Sequence, residues 1–570
     1  MFKLLKYLKA YTLQSILGPL FKLAEATLEL LVPLLVAAVV DRGIVAGDRR
    51  AVVLYSLLMV AFGLVGLGLS VTAQYFSARA AVGFTARIRS ALFGHIQGFT
   101  YTQLDELGTS TLITRMTSDM NQVQSALNLT LRLLLRSPFV VFGAMVMAFT
   151  IDWKAAMIFV LTIPVLSVVV FGIMLICIPL YKKVQAALDR VLGRTRENLS
   201  GVRVIRAFCQ EAEEIEEFDA RNRALTGVQK FVGRISALMN PLTFVLINFA
   251  IILLIHTGAL RVEAGILTQG AVVALYNYMS QILVELIKLA SLIISITKGV
   301  ACGNRIQAVL ELPTGEAVLP AEETAEGTAL EFRNVSFCYE GAAENSLTDI
   351  SLSLRPGETL GVIGGTGAGK STLVNLIPRF YPATEGTVFV NGKAVQSQPV
   401  EELRRTIGIV PQKAVLFKGT IASNLRWGNE DATEEELLAA MEAAQAGEIA
   451  ASKGLDAPVE QNGRNLSGGQ RQRLTIARAL VKKPSLLILD DSASALDFAT
   501  DAALRKALKN LPWNPATVIV SQRTGSIAHA DKILVLEDGE AVGYGTHEEL
   551  LAGCPVYKEI YDSQFGGEQV

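Results

Sequence analysis

Gly364-Gly365-Thr366-Gly367-Ala368-Gly369-Lys370-Ser371-Thr372 joins the apolar run 360–363 to a second apolar run, 373–377. A buried strand that delivers the chain to such a turn lets its backbone N–H groups surround phosphate oxygens, and a following helix adds its positive N-terminal end. In this P-loop pattern Lys370 reaches the β- and γ-phosphates of a nucleotide and Ser371 a Mg²⁺ ion. A chance glycine-rich turn would not combine glycines at both fixed ends with Lys-Ser and with flanking strand and helix patterns. Residues 486–490, Leu-Leu-Ile-Leu-Asp, form an apolar strand pattern that ends in Asp490, the carboxylate that a P-loop enzyme needs to hold Mg²⁺. Upstream lies Leu466-Ser467-Gly468-Gly469-Gln470, followed by a helical stretch over 471–480. It too suits a phosphate, yet one γ-phosphate cannot be served twice by one chain. A second nucleotide, bound across a dimer interface, resolves the conflict.

The elements that position these residues divide the chain in two. With 570 residues the chain exceeds one core, and 51% hydrophobic against 18% charged residues points to a membrane portion beside a soluble domain. The net charge of −1 gives no footprint for nucleic acid. Five scattered cysteines, Cys177, Cys209, Cys302, Cys338 and Cys554, lack metal-like spacing and read as reduced packing residues. Residues 1–10 are amphipathic, with Lys3, Lys6 and Lys9, and no small-residue cleavage site follows. Stretches 51–78, 155–181 and 266–284 carry no charge and meet or approach the ~20 residues of a spanning helix. With 11–40, 137–151 and 235–260 they make six spans. The connections 41–50, 152–154 and 261–263 are short, whereas 79–136 and 182–234 are long, Arg-rich and helical in pattern, so they are expected on the cytoplasmic side as extensions of the spans. Lys22, Glu25 and Glu29, and likewise Glu285 and Lys288, stand at helical spacing inside spans, either lining a polar cavity or meeting water at the helix ends. The expected domains are a membrane region over 1–311, a linker over 312–328 and an α/β P-loop domain over 329–570 built on a mainly parallel sheet. The fold class is thus a polytopic α-helical membrane domain plus an α/β nucleotide-binding domain.

Membrane region first, P-loop domain second, and Leu-Ser-Gly-Gly-Gln between the P-loop and an Asp-ended strand: this order resembles an ATP-binding cassette (ABC) exporter half-transporter of the type IV fold. The resemblance covers essentially the whole chain. It implies that ATP and Mg²⁺ bind, that Tyr339 stacks on adenine, that Gln412 links Mg²⁺ to the membrane domain and that Asp497 communicates between two sites. It also implies that 108–119 and 197–208 carry the coupling helices. Two positions depart from the family. Asp491 stands where efficient hydrolysers have Glu, and Gln522 where they have the switch His. One missing methylene withdraws the carboxylate by roughly 1 Å, a misplacement that can cost on the order of 100-fold in rate. Gln522 can hydrogen-bond a γ-phosphate but cannot become cationic. Such a chain resembles the degenerate-site subunit of bacterial heterodimeric multidrug exporters. Implied are a second half-transporter that carries the catalytic Glu and switch His, a hydrophobic or amphiphilic small-molecule or lipid substrate, and a multi-pass location in the bacterial plasma membrane with the nucleotide domain in the cytoplasm. A homodimeric exporter and an ATP-gated membrane sensor are the competing expectations.

Overall fold

A computed structural model describes residues 2–315, 318, 325–492 and 494–565. The linker expected over 312–328 therefore lies in part outside the described residues. The chain forms two compact units, one of Met1–Gln97 with Gly108–Leu312, the other of Gly98–Leu107 with Pro313–Val570.

The first unit is helical. A 3₁₀ stretch, Phe2–Tyr11, leads into α1 (Thr12–Ala38), and a π-helical stretch (Val39–Val45) precedes α2 (Arg49–Gln97). After α3 (Tyr101–Leu107), which belongs to the other unit, come α4 (Thr109–Thr114), α5 (Met120–Leu133), α6 (Arg136–Ile151), α7 (Trp153–Ala207), α8 (Glu211–Ala237), α9 (Met239–Glu263) and α10 (Gln269–Glu311). Among the described residues, six helical segments are long and apolar enough to cross a membrane, as the hydropathy pattern predicts. At 1.5 Å per residue the 55 residues of α7 span about 80 Å, far beyond the ~30 Å of a bilayer core. The helices therefore run on past the membrane. The last outer connection is 264–268 rather than the expected 261–263, because Arg261 and Glu263 still belong to α9 and Arg261 pairs with Asp152. Asp152 also caps α7 by accepting from Ala155 N at 2.8 Å. Residues 26, 140, 144, 159, 254, 274 and 278 are among those that form the unit's buried core. Cys177 and Cys302 are buried as expected of packing residues, whereas Cys209 is exposed.

The second unit has β1 (Leu330–Phe337), β2 (Leu347–Leu354), β3 (Thr359–Gly364), β4 (Glu385–Val390), β5 (Lys393–Ala394), β6 (Ile407–Val410), a short pair β7 (Gly419–Thr420) and β8 (Pro458–Val459), then β9 (Leu486–Asp490), β10 (Ala516–Val520), β11 (Lys532–Glu537) and β12 (Glu540–Gly545). One sheet has the order β12-β11-β3-β10-β9-β6 and is parallel except at β12. The remaining long strands correct the single-sheet expectation: β2-β1-β4-β5 is a separate antiparallel sheet. The difference shows in burial. Strands β9 and β10 are buried at every residue, as parallel strands covered on both faces must be, while β2 alternates buried and accessible positions.

Candidate nucleotide site

Strands β3, β9 and β10 lie side by side and end together, so the turns that follow them converge on one edge of the sheet. After β3 the turn closes through Gly369, whose φ of 90° is left-handed and where a Cβ would stand 2.7 Å from the Ser346 carbonyl oxygen. Only glycine fits there. The helix α11 (Lys370–Leu376) starts immediately after it. Lys370 folds back over the turn, and its Nζ donates to the carbonyls of Gly364 at 2.8 Å and Gly365 at 2.5 Å. Burial lowers its pKa from the ordinary lysine value, against the opposing pull of Asp491 and Asp490.

Asp490 closes β9. The residue is 8% exposed, and its carboxyl accepts from Ser371 Oγ at 3.3 Å. Burial pushes its pKa above the ordinary carboxylate range, and Asp491 adds to this, while the Ser371 bond and Lys370 work in the other direction. Asp491 follows with φ 45°, a left-handed backbone that Asp tolerates better than most residues. Its N–H donates to the Val520 carbonyl at 3.0 Å, and Gln412 Nε2 donates to its Oδ2 at 3.3 Å.

A cavity of about 970 Å³ gathers Tyr339, Thr366, Gly367, Ala368, Gly369, Lys370, Ser371, Thr372, Gln412, Asp490, Asp491 and Gln522. Gly364 and Gly365 do not line it; they anchor Lys370 from behind. Tyr339 places its hydroxyl 3.2 Å from Thr372 Oγ1, and its ring meets those of Phe337 and Tyr381 edge-on at 4.7 and 5.3 Å. The cavity is large enough for a nucleotide. The paired hydroxyl and carboxylate of Ser371 and Asp490 are the hard oxygen donors that Mg²⁺ prefers, and a cation there would relieve the buried charge of Asp490. Bound Mg²⁺ would supply charge neutralisation on the phosphates.

The remaining sequence-predicted residues stand elsewhere. Ser467 opens the helix Gly468–Val481 with a capping box: its Oγ accepts from Gln470 N at 3.2 Å, and Gln470 Oε1 accepts from Ser467 N at 3.1 Å. Leu466 is buried beneath this turn, and Gly469 is adjacent to the Ala495 carbonyl. Gly468 borders a second cavity of about 440 Å³ with Gln412, Arg471 and Ala495. Asp497 caps the helix Phe498–Lys509, with Thr500 N and Thr500 Oγ1 donating to its two oxygens at 2.9 and 2.8 Å, and these bonds lower its pKa.

Sequence reading missed the wall formed by residues 342–346, Asp538 and Gly539. An Asp-Gly pair between two strand patterns is a hairpin signal, and both residues have the positive φ that it requires, 46° and 84°. Residues 108–119 begin with α4 of the helical unit, while the short helix just before them, α3, belongs to the second unit. Tyr101 of α3 stacks on Phe380 with centroids 4.3 Å apart, and Tyr381 donates its hydroxyl to Asp105 at 2.5 Å.

Comparison with known proteins agrees with this geometry. The model of the ABC transporter transmembrane region matches residues 15–286, and that of the ABC transporter matches 347–494. An uncharacterized ABC transporter ATP-binding protein of Bacillus subtilis is 36% identical, covering 99% of both chains. An ATP-dependent lipid A-core flippase of Desulfotalea psychrophila is 33% identical, covering 84% of each. The solved structure of a bacterial Atm1-family ABC exporter with ATP bound superimposes with a TM-score of 0.80 over 98% of both chains at 23% identity, a likeness of fold. The chain belongs to the ABC transporter family. It is a multi-pass half-transporter of exporter fold that binds ATP, with a membrane region and an ATPase domain in one polypeptide.

Proposed function

We propose that this chain is one subunit of a heterodimeric ATP-driven exporter that moves hydrophobic or amphiphilic compounds out of the cytoplasm or the inner leaflet. Its own site holds MgATP and turns it over slowly. Residues 466–470 complete the faster site on a partner that carries the catalytic Glu and switch His. The observation that carries this reading is the content of the cavity: Lys370, Ser371 and Asp490 are assembled for binding, while the two positions that act on the attacking water and γ-phosphate are Asp491 and Gln522. The separation of 466–470 from the P-loop cavity supports a role toward another chain. One persistently occupied site keeps two cassettes in contact while turnover at the other drives alternating access. The lipid-flipping activity named for a relative supports an amphiphilic substrate.

Purification from the native membrane tests the proposal. A second half-transporter in stoichiometric amount, slow ATP hydrolysis by the chain alone and substrate-stimulated hydrolysis by the pair are expected. Robust, transport-coupled turnover by a homodimer sinks it.

A further inference from the structure

Within the helical unit, charges from three helices join one network. Arg136, at the start of α6, donates from Nη1 to Glu285 Oε1 at 2.7 Å and from Nη2 to Glu29 Oε2 at 2.5 Å. Ser137 Oγ donates to Glu285 Oε2 at 2.8 Å, and Lys288 Nζ to Glu285 Oε1 at 2.8 Å. The middle is dry and the ends are not: the side chains of Arg136 and Glu285 are 7% and 3% exposed, those of Glu29 and Lys288 38% and 42%. Both accessible ends line one cavity of about 390 Å³ between α1 and α10. Its wall on α1 is otherwise apolar, with Val32, Pro33 and Val36, while α10 contributes the polar Asn277, Ser280 and Gln281 besides Val284. The side-chain oxygen of Gln281 is buried and accepts no hydrogen bond.

Two carboxylates and two cations leave this cluster without net charge, so it does not select a ligand by the sign of its charge. It presents instead an acceptor side, the half-exposed Glu29 with the unpartnered oxygen of Gln281 beneath the cavity wall, and a separate donor, Lys288. A buried acceptor without a donor is costly, so a ligand N–H there is favoured over an apolar group. An uncharged apolar ligand would strip water from both charged ends and return nothing. We propose that this cavity takes the zwitterionic head of an amphiphile, with an amine against Glu29 and Gln281, a phosphate against Lys288 and the chain along Val32, Pro33 and Val36. This deepens the export reading and rests on it.

Binding to the full-length chain in non-ionic maltoside micelles, by fluorescence or calorimetry, tests the assignment with four probes: a lysophosphatidylethanolamine, an alkylamine and an alkyl phosphate of matched chain length, and O-phosphoethanolamine. The lysolipid is expected to bind at least about tenfold more tightly than any other probe, the scale of one charge-assisted hydrogen bond. Glu29→Gln and Gln281→Met should each weaken the lysolipid and the alkylamine by about tenfold and spare the alkyl phosphate. Lys288→Gln should weaken the lysolipid and the alkyl phosphate by about tenfold and spare the alkylamine. Gln281→Met removes an acceptor that has no partner, so its effect does not depend on a folding defect. Equal binding of the chain-bearing probes, indifference to the three substitutions, or binding of O-phosphoethanolamine as tight as that of the lysolipid overturns the proposal. MgATP-induced thermal stabilisation and amphiphile-stimulated ATPase of the chain with its partner are recorded alongside. If these persist without zwitterion preference, the head-group assignment alone fails; if amphiphiles of every charge leave ATPase unchanged, the export reading fails with it.

Discussion

At residue 491 a carboxylate one methylene shorter than glutamate sits on a left-handed backbone, φ 45°, and is held by Gln412. Chain length and backbone conformation there pull in opposite directions. Glu would carry the carboxylate further toward the cavity but accepts the left-handed region less readily, at a cost of about 1 kcal/mol. Asp491→Glu should therefore lower the melting temperature slightly while it raises ATP turnover at this site, and Asp491→Glu with Gln522→His should raise it by on the order of tenfold or more. Steady-state ATPase and thermal unfolding of the same preparations check both signs, and no change in the double variant would mean that positions 491 and 522 do not set turnover at this site. Asp490 makes an opposite kind of prediction. Its folded-state pKa lies above the ordinary carboxylate value because it is buried. A raised pKa contributes stability below the unfolded pKa that is lost as pH rises through the folded pKa, so near pH 7 the ionised carboxylate works against the nucleotide-free fold. Asp490→Asn should raise the nucleotide-free melting temperature at pH 7 by on the order of 2 °C. That gain should shrink toward pH 4, and stabilisation by MgATP should be lost. A lower melting temperature at pH 7 would refute it.

Helix α3 shows how an element acquires a role that its own seven residues do not announce. Its sequence, Tyr-Thr-Gln-Leu-Asp-Glu-Leu, has no buried residue and continues the helical pattern on either side. What fixes it is remote: the Tyr101–Phe380 stack and the Tyr381–Asp105 hydrogen bond bridge more than 270 positions. A ring pair of this kind is worth about 0.5–1.5 kcal/mol. Tyr101→Ala should make the 98–107 segment more sensitive to limited proteolysis and reduce substrate stimulation of ATPase in the assembled transporter, with basal turnover nearly intact; unchanged stimulation would remove α3 from the coupling path. The same remoteness explains what could be read in advance. The P-loop, the Asp-ended strand and residues 466–470 are contiguous patterns with local physical causes, so sequence alone placed them. Six spans followed from apolar runs. Arg136 was legible only as a charge near a helix start, because its partners Glu29 and Glu285 lie 107 and 149 positions away. The antiparallel sheet was missed although Leu347–Leu354 alternates apolar and polar residues, a period that separates it from the continuous apolar run of β9.

For the whole molecule, the separation of residues 466–470 from the P-loop cavity predicts where damage shows. In the assembled pair, Ser467→Ala should lower nucleotide trapping at the partner's P-loop by on the order of tenfold more than at this chain's own. Because Ser467 also closes a capping box, the substitution should cost about 1 kcal/mol of stability as well. Photolabelling with an azido-nucleotide, followed by separation of the two subunits, reads the asymmetry, and equal loss on both subunits would assign the effect to the lost cap. The discontinuity of the second unit has a consequence in time. Residues 98–107 are synthesised with the helical unit, but the strands and helices that they pack with follow only after Leu312. At ~5–20 residues per second, the end of the unit near Phe565 emerges from about 25 to about 90 s after α3. The ring of Phe380, on which Tyr101 stacks, itself follows α3 by about 14 to about 55 s. The second unit therefore reaches the arrangement described only when its later-made strands and helices capture a segment made long before.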